Sequence, residues 1–161
     1  QISYLYSLLS GTSSPLDPLR RVWERDMGQS FTDDEWLCTR EEVFHKSISS
    51  SVHEQNFKFI YRIYLTPVRL HKMYPNVSRM CFKCKSEIGT LMHLFWDCKK
   101  IKPFWQEVHD LVQKTLDRQF TLSPTIYLLN CKTSLDFSTD SQSLLNIITY
   151  LAKKCILYNF K

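Results

Sequence analysis

Residues 81–98 read CFKCKSEIGTLMHLFWDC, a C-x2-C-x8-H-x4-C arrangement built from Cys81, Cys84, His93 and Cys98. Cys84 follows Cys81 by three positions, the reach of a tight turn that aims two thiolates at one point. His93 and Cys98 lie five apart and converge if a short helix or turn carries the histidine. Three thiolates and one imidazole form a closed tetrahedral set, the usual ligands of a structural zinc ion, with no position left for a substrate. Three of the six cysteines fall within these eighteen residues, with a histidine between them, and ligand type and spacing together favour a metal site. The alternative is reduced cysteines packed as small hydrophobes around a satisfied core histidine.

Outside this stretch the chain reads as helical. Its 161 residues suffice for one domain, or a domain with a small module, around a sizeable core. Three Gly against ten Phe, eight Tyr and four Trp imply aromatic packing and few hairpins. No run approaches eighteen apolar residues, which excludes a membrane-spanning helix of ordinary length. Gln1 opens the chain with no signal-peptide pattern, and Lys161 ends it without a cap, so a piece of a longer polypeptide is expected. The scattered Cys38, Cys131 and Cys155 are expected as buried thiols. Such cysteine usage suits a reducing compartment, cytoplasm and nucleus.

Working outward, the expected units are 1–16 as the end of a preceding segment with a linker, 17–75 as an N-terminal helical part, 76–102 as the CCHC zinc module, and 103–161 as a C-terminal helical part. From Asp17 a helix places Leu19, Val22 and Trp23 on one face, with Pro18 in its first turn. The stretch Phe31-Thr-Asp-Asp-Glu-Trp36 resembles the paired aspartates of a polymerase at first sight. Those require a hairpin turn between apolar strands. Here Thr32 and Glu35 form a capping box, and the acids suit a helix start, so this is no active site. The helix should run over 33–46 with Trp36, Leu37, Val43 and Phe44 inward. Ser47 to Ser51 interrupt it or begin the next, which carries Phe57, Ile60, Tyr61 and Tyr64, with Lys58 and Arg62 on the other side.

Thr66 and Pro67 supply an N-cap and a first helical residue, and Tyr74-Pro75-Asn76 ends that short helix. Gly89 and Thr90 open one or two turns bearing His93. Pro103 starts an amphipathic helix with Phe104, Trp105, Val108, Leu111, Val112 and Leu116 on one face. His109 is expected on its surface. Residues 123–129 are read as a strand or an extended packing segment, and 130–141 as a loop. The last helix should span 141–160 with Leu144, Leu145, Ile148, Leu151, Cys155 and Ile156 buried.

Charge is distributed unevenly. Ten basic residues (Lys58, Arg62, Arg69, Lys72, Arg79, Lys83, Lys85, Lys99, Lys100, Lys102) lie between positions 58 and 102, against Glu87 and Asp97. That segment carries +8 and the remainder −3, for a total of +5. A basic patch around the metal site attracts polyanions, nucleic acid foremost; a solvated face that keeps the chain soluble is the other reading. Exposed aromatics such as Tyr61, Tyr74 and especially Phe82, between two ligands, are candidates to stack on unpaired bases. Phe95, Trp96 and Trp105 are expected in the core.

The series Tyr64-Leu-Thr-Pro-Val-Arg69, Cys81 and Cys84, Glu87-Ile-Gly-Thr-Leu-Met-His93, Phe95-Trp-Asp-Cys98 and Pro103-Phe-Trp105 resembles the C-terminal cysteine-rich region of reverse-transcriptase proteins from vertebrate non-LTR (LINE-type) retrotransposons. Ala152-Lys-Lys-Cys-Ile-Leu-Tyr-Asn-Phe160 resembles the helix that follows in fish and amphibian relatives. The similarity is good over 60–105 and loose over most of 17–161. It implies Cys81, Cys84, His93 and Cys98 as zinc ligands. The basic residues above become candidate phosphate contacts, in a region that binds RNA and supports target-primed reverse transcription beside the upstream polymerase. Whether RNA or DNA is preferred is left open. A structural domain that docks on the polymerase or on a host protein is the alternative function. An enzymatic reading fails on the closed ligand set, and neither polymerase nor endonuclease motifs are present.

Overall fold

The computed structural model describes residues 17–45, 49–131 and 137–159, with side chains over 18–39, 49–131 and 137–159. The chain is mainly helical: α1 (Asp17–Met27), α2 (Asp33–His45), α3 (Ser50–Ile60), α4 (Pro67–Met73), a π-helix (His93–Asp97), α5 (Lys102–Leu116), α6 (Pro124–Leu129) and α7 (Thr139–Tyr158). Among the described residues the β structure is one isolated antiparallel bridge, Met80 with Ile88. The expectations for 1–16, for Val43 and Phe44, for Ser47, and for 132–136 of the 130–141 loop fall outside the described residues, and the last helix begins at Thr139, inside that expected loop.

Local chemistry explains where the helices start and stop. α1 ends at Gly28, whose φ of +66° suits a residue without Cβ. At α2 the capping box forms in both directions: Glu35 N–H donates to Thr32 Oγ1 at 3.2 Å and Thr32 N–H donates to Glu35 Oε2 at 2.8 Å. Asp33 and Asp34 thus sit at the positive end of a helix. α3 begins after Ser49 and stops at Ile60, short of the expected Tyr64. Arg62 adopts φ +57°, and Ile63 N–H donates to the Lys58 carbonyl at 2.8 Å while Arg62 N–H donates to Phe59 at 2.9 Å. This is a Schellman turn made without glycine. Its residue is anchored instead by side-chain contacts: the guanidinium pairs with Asp26 at 2.5 Å and lies 4.6 Å from the Trp23 ring centroid.

α4 starts as expected, with Arg69 N–H donating to Thr66 Oγ1 at 3.4 Å and Pro67 in the first turn. Its Pro67 ring lies directly on Gly89, where a Cβ would overlap the ring. Gly89→Ala should therefore push α4 off the metal loop at a cost of about 1–3 kcal/mol. A thermal melt of the variant beside the parent checks this, and an unchanged midpoint would contradict it.

The buried cluster runs from α1 through α3 and the π-helix to α5, α6 and α7. Ring contacts mark its path: Trp23 to Phe59 at 5.5 Å, Phe59 to Phe95 at 4.8 Å, and Trp105 to Tyr127 at 5.4 Å. Trp23 Nε1–H donates to the Ile60 carbonyl at 3.0 Å, so the indole has a partner where it is buried. Lys153 of α7 is buried too, its Nζ 3.3 Å from the Leu128 carbonyl, 3.4 Å from Asn56 Oδ1 and over the Phe59 ring. One ammonium thus joins α7 to α3 and α6.

Several expected faces are corrected. His109 is buried: Trp105, His109 and Val112 form the inward stripe of α5, and Tyr127 Oη lies 2.8 Å from His109 Nδ1. That partner makes the burial tolerable. Burial in turn raises the Tyr127 hydroxyl well above its ordinary pKa. Leu111 points outward, 55% exposed, and Leu37 of α2 is exposed as well. Residues 124–129 form a helix, with Ile126 to Leu129 all buried; a helix apolar all round belongs inside. In α7 the inward stripe is Leu145, Thr149, Ala152 and Ile156, spaced four, three and four. Leu151, at 50% exposure, and Cys155 lie on the outer face. Cys131 is buried as expected and Cys38 partly so, whereas Cys155 is exposed. No helix among the described residues is long and apolar enough to cross a membrane.

Candidate metal centre

Cys81, Cys84, His93 and Cys98 are brought together, with one ligand atom from each lying within 4.8 Å of all the others. Two structural devices achieve this. The first is the loop between the paired residues Met80 and Ile88, held by Cys81 N–H to the Glu87 carbonyl at 2.7 Å and Lys85 N–H to the Cys81 carbonyl at 3.0 Å. Lys85 takes φ +55° to close this turn. The reversal turns the Ser86 hydroxyl, with the N–H groups of Ser86 and Glu87, toward Cys84 Sγ. These bonds, with His93, pull the Cys84 thiol down to about 5.

The second device is the π-helix. Cys98 N–H donates to the His93 carbonyl at 2.9 Å, an i→i+5 bond. The wider turn brings residue i+5 back over residue i, so a four-residue gap places imidazole and thiol side by side. Thr90 Oγ1 accepts from His93 N–H at 3.1 Å and fixes the start of this segment. Trp105 Nε1–H donates to the Phe95 carbonyl at 2.5 Å, satisfying one carbonyl that a regular helix would have bonded. Burial pushes the Cys98 thiol up, opposed by a hydrogen bond from Lys100 N–H.

The donor set fits a tetrahedral ion. Bonds of about 2.3 Å from metal to sulfur give tetrahedral edges of about 3.8 Å. Cys81 Sγ and Cys98 Sγ are 3.9 Å apart, and Cys84 Sγ is 3.3 Å from His93 Nε2. Nε2 therefore faces the centre, while Nδ1 lies 3.3 Å from Glu87 Oε2. A carboxylate holding the second nitrogen of a ligating histidine fixes its tautomer and orientation. Nothing in the sequence pattern marks Glu87 for this task, since an acid six residues before a histidine is common. Glu87→Gln should weaken metal binding about tenfold, the low end for such partners, because the Glu87 side chain is 59% exposed. Competition against a colorimetric chelator measures this, and unchanged affinity would remove Glu87 from the site.

The expected nucleic-acid contacts separate into two groups. Arg62 is half-buried, paired with Asp26 and set over the Trp23 ring. Lys58 pairs with Glu54 at 2.6 Å. Lys83 Nζ donates to the Asn159 carbonyl beyond α7, and Arg69 Nη1 donates to the Arg62 carbonyl at 2.5 Å. Lys72, Arg79, Lys85, Lys99, Lys100 and Lys102 are exposed and make no ion pair among the described residues. Phe82 is 39% exposed between the first two ligands, Tyr61 and Tyr74 are exposed, and Phe95 and Trp105 are buried, as expected. Trp96 is half-buried. No protein-family model matches the chain.

Proposed function

We propose that this chain is a non-catalytic, zinc-stabilised helical module that binds nucleic acid, RNA foremost. In this reading it is the counterpart of the cysteine-rich region downstream of the polymerase in LINE-type reverse-transcriptase proteins. The carrying observation is the juxtaposition of a closed thiolate–imidazole cluster with three exposed, unpaired lysines, Lys99, Lys100 and Lys102, directly after its last ligand. Zinc is the ion that a Cys3His set of this size selects. Filled by four protein ligands, such a site has no position for a metal-bound water, so its work is architectural. The lysines neutralise phosphates, which gives salt-dependent binding with little sequence preference.

Affinity of the zinc-loaded chain for a short structured RNA, measured across a salt series with heparin as competitor, tests this. We expect log affinity to fall steeply with log salt. Negligible binding at low salt would favour the second reading, a domain that docks on a protein surface. That reading has its own support in the exposed Met73, Tyr74 and Ile88 near the metal loop and in Ile147, Leu151 and Tyr158 on the outer face of α7.

A further inference from the structure

Lys102, the last of the three lysines, borders an open depression of about 300 Å3 that is also lined by Trp96, Trp105, Gln106 and Leu122. We propose that it captures one unpaired base of a single-stranded nucleic acid, stacked on Trp96, with Lys102 on an adjoining phosphate. The inference rests on the nucleic-acid reading above and adds where, and in what form, the strand is held.

Four observations carry it. The volume lies at the small end of ligand sites, suited to one planar ring system and too confined for a base pair. Trp96 is set in advance: its ring lies 5.4 Å from Trp105 and 6.4 Å from Tyr127, stacked on the latter at 28°. Trp96 is half-buried and lines the depression, so the part of the indole that borders it is already in place. Gln106 donates through Nε2 to Asp110 Oδ1 at 2.9 Å, which leaves its amide oxygen to accept from an exocyclic amino group. Finally, the lining contains no carboxylate and does contain an ammonium. An aromatic cage for a cation would need the reverse charge, whereas a base attached to a phosphate matches both the rings and the lysine.

Gln106 is exposed on α5, so Gln106→Trp fills the depression from its rim without opening the core. Base–aromatic stacking implies a loss of about 5- to 100-fold in affinity for a single-stranded RNA. The salt slope should be unchanged, because no phosphate contact is removed, and so should the melting midpoint. A second measurement needs no variant. An oligonucleotide of equal length whose bases are replaced by abasic sites should bind the unaltered chain as weakly as the normal strand binds Gln106→Trp. If Gln106→Trp binds the normal strand as tightly as the parent does, or abasic strands bind the parent undiminished, the pocket assignment is wrong while the nucleic-acid reading stands. If the parent binds a structured RNA but no single strand, the pocket assignment alone falls; if it binds neither even at low salt, both fall.

Discussion

Cys84→Ser and His93→Ala should each abolish stoichiometric zinc and melt the middle of the chain. Between Val68 and Thr90 the residues that reach full burial are Cys81 and Gly89. After α4 ends at Met73, regular pairing in this interval is limited to the Met80–Ile88 bridge. A segment with so little buried apolar surface cannot offset its own ordering entropy, about 1–2 kcal/mol per residue for the backbone alone. An ion held by the four clustered residues would supply it. Apparent binding free energies of about 10–16 kcal/mol for structural zinc match or exceed the whole stability of a typical domain, about 5–15 kcal/mol. The charge arrangement points the same way: three sulfurs crowded within 4.8 Å cannot all be thiolates without a cation between them. Loss of only about 4 kcal/mol would lower the midpoint by about 10 °C in a chain of this size. Cys155→Ser, at an exposed thiol outside the cluster, should keep both metal and midpoint. Metal content by emission spectroscopy and a thermal melt decide the matter; full zinc occupancy with unchanged melting in either ligand variant would sink the assignment.

What was readable in the sequence is what short-range chemistry determines. The capping box at Thr32, the Thr66–Pro67 start of α4 and the Pro103 start of α5 follow from residues within one or two turns of each other, and the clustering of Cys81, Cys84, His93 and Cys98 follows from their spacing within eighteen residues. The misreadings share a different origin. His109 looked like a surface histidine because its partner, the Tyr127 hydroxyl, lies eighteen residues away. Arg62 looked like a free cation because Asp26 lies thirty-six residues before it. Residues 124–129 looked extended because a short apolar run such as Ile126–Leu129 carries no helical period; their burial against α7 decides the conformation. In α7 the apolar residues make two stripes, and the sequence alone does not say which one faces inward. Which four residues cluster was legible, yet the way they meet was not. An i→i+5 turn has no residue signature, and neither has Glu87, whose contact with the histidine exists only after the loop has closed.

Changing Lys99, Lys100 and Lys102 together to Glu should weaken RNA binding by at least tenfold at low salt and flatten the salt dependence. For single strands each phosphate contact contributes about 0.7 to the slope of log affinity against log salt, so losing three lowers it by about 2. These lysines suit the test because they are exposed and make no ion pair among the described residues. Their replacement should leave stability within about 0.5 kcal/mol. The hydrogen bond that Cys98 receives here comes from the backbone of Lys100, which a side-chain change does not touch. Arg62 could not serve the same purpose, since reversing it would set a carboxylate against Asp26 and undo the turn after α3. Lys72→Glu and Lys85→Glu, also exposed, divide the remaining possibilities. If the triple variant keeps its slope while these lose theirs, the strand runs over α4 and the loop between Met80 and Ile88, which carries Phe82, and the role of the lysines after Cys98 is withdrawn. If none of them moves the slope, the positive charge around the metal is a solvated face, and the exposed apolar residues near the metal loop become the surface to which a partner must be fitted.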